Sequence, residues 1–320
     1  WGVAAVVSTA AAVTVSLDAG REVVEAARLD EPVFARLRTE PETAAAVTIV
    51  HGGDEIRVER AGERWIVPAE HGYAADETAV RDLLTNLADL RWAAPRTALE
   101  ERYPRLEVGA PGEGSDAKRV TVTAADGALL ADAIIGKRSR AITGDERGTY
   151  LRLPAGERAW LAKGTVDVAT EGIDWLATGL PSIAQDQLRT LVVDPAEGVG
   201  FTVGRTSAED DMTLVDQLPA DRSADATQIR RLASVFAGLR FEEVRPAAEV
   251  AWPDAVTTVT GTSFAEETLE LRMATLEGGE RWVRFVDAAG TADWVYRLPD
   301  FQTDRLDKRL DDLLTEPGAS

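Results

Sequence analysis

The chain has 320 residues, 45% hydrophobic and 28% charged, with a formal net charge of −20 and no cysteine. That length suits one large domain or two ordinary ones, and the balance of apolar and charged residues is that of a folded protein. The acidity opposes binding to nucleic acid and to anionic lipid, and the lack of cysteine excludes disulfides, thiolate nucleophiles and Cys-ligated zinc.

The first seventeen residues, WGVAAVVSTAAAVTVSL, carry no charge, and Asp18 ends the run. A membrane-spanning helix takes about 20 apolar residues, with a lower bound near 17. Three readings are open: a transmembrane anchor, a cleaved signal segment whose small residues STAAAV suit a peptidase, or a buried core helix. The anchor reading is adopted. It makes the protein a single-pass inner-membrane one with the bulk of the chain extracytoplasmic (periplasmic). Residues 18–44 read as a charged helical connector.

From about residue 45 the pattern turns to strands. AAVTIVHGGDEIRVERAGERWIVP alternates apolar and polar residues around Gly52-Gly53-Asp54 and Ala61-Gly62-Glu63, which predicts a three-stranded meander. A helix capped by Asp76 follows, with Val80, Leu83, Leu84 and Leu87 on one face. Strands are then expected over 119–124, 129–136, 149–153 and 159–162, and a short helix over 170–177 before Pro181. The order then recurs. LRTLVVDPAEGVGFTVGR and DMTLVDQ supply strands, and a helix over 225–240 carries Ile229, Leu232, Ala233 and Phe236. Strands at 255–260, 268–274, 281–287 and 293–297 follow, with a closing helix over 303–314.

The two helices are nearly the same sequence. ADETAVRDLLTNLADLRW at Ala75–Trp92 matches ADATQIRRLASVFAGLRF at Ala224–Phe241, about 149 residues later. Later strands correspond as well, with Arg152 set beside Arg284, Tyr150 beside Trp282 and Trp160 beside Trp294. The expected fold class is therefore α+β: a tandem duplication of a β-meander/helix unit in two lobes, residues 45–183 and 184–316, preceded by an N-terminal transmembrane helix.

Several segments then resemble a known family. The helix, an aromatic-led turn at Tyr103-Pro104, a strand, IIGK at Ile134–Lys137 and TYLRL at Thr149–Leu153 together resemble the domain of unknown function 4340. The upstream VFARLRTEPETAAAVTIVHGGDEIRVERAGERWIV fits the same opening. The chain departs from the family at Pro104-Arg105-Leu106-Glu107, where a Gly-Leu-Asp-like turn is frequent. The resemblance implies a membrane-anchored bacterial protein associated with gliding-motility-type ABC transporter components. It brings no catalytic residue with it.

The residues themselves offer little chemistry. The two histidines, His51 and His71, have no metal-ligand spacing and read as loop residues. EGVGFTVG at 197–204 runs into a strand, whereas a dinucleotide loop must open a helix. GTSFA at 261–265 fails the nucleophile-elbow pattern, and no histidine follows to activate Ser263. AEDD at 208–211 reads as a solvated turn. GKRSR, with Lys137, Arg138 and Arg140, is the one basic cluster. It is either a soluble hairpin tip or a contact for an acidic partner. No catalytic, cofactor or metal site is expected.

The expectation is a non-enzymatic extracytoplasmic accessory or scaffold protein, partnered with the permease of an ABC-type transporter or a related envelope protein. The alternative is a glycan- or peptide-binding module.

Overall fold

The computed structural model describes residues 28–140, 147–218 and 221–315. They form two compact units, divided between Ala177 and Thr178. Each is dominated by one large antiparallel sheet.

The sheet of the first unit contains β1 (Ala44–His51), β2 (Asp54–Ala61), β3 (Arg64–Val67), β4 (Tyr73–Ala74), β5 (Arg91–Pro95), β6 (Lys118–Ala124), β7 (Leu129–Ser139), β8 (Gly148–Arg152) and β9 (Ala159–Lys163). Their order across the sheet is β4-β3-β2-β1-β6-β7-β8-β9-β5. The second unit contributes β10 (Leu188–Asp194), β11 (Phe201–Gly204), β12 (Thr213–Leu214), β13 (Glu243–Pro246), β14 (Thr257–Ser263), β15 (Thr268–Thr275), β16 (Arg281–Val286) and β17 (Trp294–Arg297). Their order is β12-β11-β10-β14-β15-β16-β17-β13. With β4 set aside, the two orders are the same. A register irregularity is shared too: β1 meets β6 with a shift between Ala44 and Ala46, and β10 meets β14 with a shift between Leu188 and Thr190.

Helices are few: α1 (Ala35–Thr39), α2 (Glu77–Asp89), α3 (Ala226–Leu232) and α4 (Asp300–Leu306) are the α-helices among the described residues. The expected α+β class is therefore corrected to a mostly β architecture of two large antiparallel sheets. The helix expected over 225–240 stops at Leu232, and turns carry Val235, Phe236 and Leu239 into the core instead. Ser, a β-branched Val and Gly238 at φ 66 weaken helix propagation there. The closing helix expected over 303–314 is α4 plus a 3-10 turn at Leu310–Leu313. The helix expected over 170–177 is a 3-10 turn at Gly172–Trp175.

Both principal helices begin alike. Asp76 accepts from the N–H groups of Thr78 and Ala79 at 2.8 and 3.2 Å, and Asp225 accepts from Thr227 and Gln228 at the same distances. Such a cap stabilises a helix by about 1 kcal/mol. The cap backbones are tied as well: Asp76 N–H donates to Trp175 C=O and Asp225 N–H to Leu313 C=O, both at 2.8 Å.

No helix among the described residues is long and apolar enough to cross a membrane. The membrane segment read over 1–17 lies outside those residues, as does the start of the connector read over 18–44. The described part of that connector is no free spacer. Asp30 and Val33 donate backbone hydrogen bonds to Trp92 and Leu90, and Lys163 Nζ lies 2.7 Å from the Asp30 carboxylate. Phe34 and Leu37 of the same stretch are buried.

Candidate functional site

Side chains alternate between the two faces of a strand, so Ile134 and Ile135 of β7 point opposite ways and both are buried. The first sheet is therefore covered on both faces at this point. Ile134 belongs to a small cluster with Tyr103, Val108, Ala117 and Ala159, joined by Leu106 and Tyr150. Its cover is the long link from β5 to β6. That link passes so close to β7 that a methyl added at Gly136 would lie 2.1 Å from Leu106 O and 2.7 Å from Val108 Cγ1. The glycine of IIGK thus admits the passing backbone.

Arg152 pins the link. Its Nε donates to Val108 C=O at 2.9 Å and its Nη1 to Gly156 C=O at 3.1 Å, while the guanidinium lies 4.8 Å from the Tyr103 ring centroid. Tyr103 donates its hydroxyl proton to Glu157 C=O. Beside this group is a cavity of about 380 Å³ lined by Tyr103, Pro104, Glu107, Ser115, Asp116 and Arg152, among others.

The second unit has the same arrangement of cations on rings. Arg284 stacks on Trp252 at 4.9 Å, as Arg152 does on Tyr103. Arg245 stacks on Trp282 at 4.5 Å, as Arg96 does on Tyr150 at 6.0 Å. An aromatic pair recurs beneath them, Trp92–Trp160 at 4.9 Å and Phe241–Tyr296 at 5.3 Å. Sequence reasoning missed these pairs although the signal was present: Arg96/Arg245, Trp92/Phe241 and Tyr103/Trp252 all keep the spacing of the two matching helices. One correspondence needs correction. Leu151 faces Trp160, and its counterpart Val283 faces Tyr296, so Trp160 corresponds to Tyr296 and not to Trp294. An insertion in the turn before β17 caused the misalignment. The units also differ in detail. Arg284 Nε and Trp252 Nε1 are buried with no hydrogen-bond partner among the described residues, where the shorter β13–β14 link supplies no carbonyl equivalent to that of Val108.

The residues singled out from the sequence are not brought together. Lys137 and Arg138 lie in the last part of β7, where Arg138 pairs with Thr149, and Arg140 directly follows the strand at the start of the link to β8, whose next residues lie outside the described ones. Arg138 forms an ion pair with Asp167. His51 ends β1, with Nδ1 3.2 Å from Ala117 O. His71 sits at a turn with φ 54. Ser263 is buried and its Oγ accepts the N–H groups of Ala265 and Glu267, each at 3.2 Å, which is a turn-forming role. Within AEDD, Asp210 closes a tight turn on Ser207. Hydrogen bonds from Ser207 and Thr206 hold its carboxyl below the ordinary value. Phe201–Gly204 is strand β11, as the hairpin reading of EGVGFTVG requires.

Large apolar side chains are exposed in both units, and one group of them lies about β10–β12. Val192 is 41% exposed, Val199 64%, Val215 65% and Leu218 41%, all on or beside β10–β12. Val192 and Val215 flank Thr202 on one face of the sheet, since Thr202 is paired with Val192 and accepts the Val215 N–H at 2.9 Å, and exposed apolar side chains grouped on one face mark a contact surface.

Comparison with curated proteins gives no match, and none is found among solved structures. A family described as "Domain of unknown function (DUF4340)" matches residues 65–255, from β3 to the link just before β14. That stretch is more than half of the chain, and the chain belongs to the DUF4340 family.

Proposed function

We propose that this protein works by contact, as a non-enzymatic extracytoplasmic accessory or scaffold of an ABC-type envelope transporter. The observation that carries the reading is the pair of exposed valines on one face of the second sheet, Val192 and Val215, with Val199 and Leu218 exposed in the adjoining loops. Exposing such side chains forgoes about 25 cal/mol for each Å² that burial would remove from water, and a partner surface recovers it. The net charge of −20 turns the choice of partner away from nucleic acid and towards protein. The transporter enters through the family alone. The would-be catalytic groups support a non-enzymatic role because Ser263 and Asp210 are spent on turns.

Mild-detergent affinity purification of the full chain tests the reading. Permease subunits should co-purify, and loss of either unit should reduce their recovery. Repeated purifications without any transporter component would contradict it.

A second reading, glycan or peptide binding, is favoured by the cavity of about 380 Å³ beside Tyr103 and Arg152, whose lining adds the polar side chains of Ser115, Asp116 and Glu107. A specific hit on a glycan array, lost on Tyr103→Ala, would select it.

A further inference from the structure

The two sheets differ at one edge, and the difference shows what the second lacks. In the first unit β3 is covered by β4, with Ile66 opposite Ala74 and Val67 opposite Tyr73. In the second unit β12 takes the place of β3, and no described strand pairs with its far edge. The chain that could have closed this edge is diverted. Tyr73 and Ala74 stand three and two residues before the cap Asp76, and Arg222 and Ser223 stand likewise before Asp225. Yet Arg222 Nε donates to Thr315 C=O at 2.9 Å, and Thr315 N–H donates to Ser223 C=O at 2.8 Å. Among the described residues the ninth strand position is left open.

What would fill it is indicated by the side chains around it. A methyl added at Gly204 would lie 3.6 Å from Val215 Cγ2 and 3.7 Å from Thr190 Oγ1. Val215 therefore lies on the sheet face that carries Thr190 and, two residues on, Val192. The border is acidic: Glu209, Asp211 and Asp216 are all exposed, and among the described residues only Arg230, 3.5 Å from Asp211, forms an ion pair with them. An unpaired edge beside apolar side chains is a template for strand addition, and flanking carboxylates select a cationic incoming chain.

We propose that β12 accepts an extended segment of a partner protein as a ninth strand, apolar at alternate positions and flanked by Lys or Arg. The occupant stands where β4 stands in the first sheet. Its backbone pairs with β12, its apolar side chains cover Val215, and its cations meet Glu209 and Asp211. This deepens the contact reading above and rests on it.

The probe is the peptide Lys-Lys-Val-Thr-Val-Thr-Val-Lys-Lys, labelled and titrated with the full chain at low salt. Binding is expected, weakening as salt rises, with slowed amide exchange at Thr213–Val215. The exposed substitution Val215→Lys should raise Kd by about tenfold, and the pair Glu209→Gln with Asp211→Asn by several fold, with melting temperatures unchanged. Absence of binding at millimolar peptide would overturn the proposal, as would equal binding of a Glu-flanked version. Exchange protection confined to other strands, or a dimer of the chain abolished by Val215→Lys, would overturn it too. The two readings fail separately. Transporter subunits recovered unchanged by the Val215→Lys protein would remove the edge proposal alone. Peptide protection of β12 with no transporter subunit recovered would remove the transporter reading alone.

Discussion

Gly136→Ala is the sharpest perturbation of the first unit. The added methyl would meet Leu106 O at 2.1 Å, Val108 Cγ1 at 2.7 Å and Glu107 O at 3.0 Å. A carbon tolerates a carbonyl oxygen no closer than about 3.3 Å, so backbone must move by roughly 1 Å. The backbone in question ends a 3-10 turn at Leu106 and passes through Glu107 at φ 59, which leaves little slack. Overpacking of this kind costs about 1–3 kcal/mol, and a clash with main chain belongs at the upper end. The loss of glycine's unfolded-state freedom returns less than about 1 kcal/mol. A net destabilisation of about 2 kcal/mol is expected, or roughly 4–8 °C in the melting temperature. Urea unfolding followed by tryptophan fluorescence measures it, with Gly112→Ala as the control because its added methyl meets nothing within 4 Å. If Gly136→Ala unfolded within about 0.5 kcal/mol of Gly112→Ala, the close approach of the β5–β6 link to β7 would be refuted.

Arg152→Met strands the carbonyls of Val108 and Gly156 and should cost about 2 kcal/mol, whereas Arg284→Met gives up only a stack on Trp252 and should cost less than about 1 kcal/mol. Equal losses in denaturant unfolding would contradict that asymmetry. Leu37→Ala removes a fully buried side chain from α1 and should cost about 3 kcal/mol, read by the same assay, while a cost near zero would mean that α1 is not docked. The pH response of the connector follows from Asp30, whose carboxyl the hydrogen bond and charge of Lys163 hold below the ordinary value. A depressed folded pKa gives a contribution that is present above the unfolded value and lost as pH falls through the folded one. The Asp30 and Val33 amides should therefore exchange faster below about pH 4, and Asp30→Asn should remove that dependence. Pull-down of permease subunits should survive Ser263→Ala, since that hydroxyl serves a turn.

The strands were legible because their alternation is strong: β14 buries every second residue from Thr257 to Ser263, and the glycine turns set the β1–β2 and β2–β3 hairpins. What misled was helical period without helical context. ADATQIRRLASVFAGLRF has an apolar stripe long enough for a full helix, but Phe236 packs against Gly261, where an added methyl would lie 2.5 Å from Cε2. That contact favours a tight turn over another helical step. The short strands β5 and β13 were hidden because each follows a run of helical period and takes its ladder partner, β9 or β17, from far along the chain. Contact sites were less legible still. Lys137, Arg138 and Arg140 stood out as charge on an acidic chain, whereas Val192 and Val215 look like ordinary strand valines. They are unusual only in what the second sheet leaves uncovered. The cation–ring pairs join residues far apart in the chain, and only comparison of one unit with the other makes them visible.

The contact reading is tested most directly by a photo-reactive residue placed at Val215 in the full chain and irradiated in native membranes. The account predicts a covalent adduct with a permease subunit of an ABC-type transporter, absent when the same residue is placed at exposed Leu129 of the first unit. Irradiation that yields no adduct with any transporter component at Val215, or equal adducts at both positions, would contradict it.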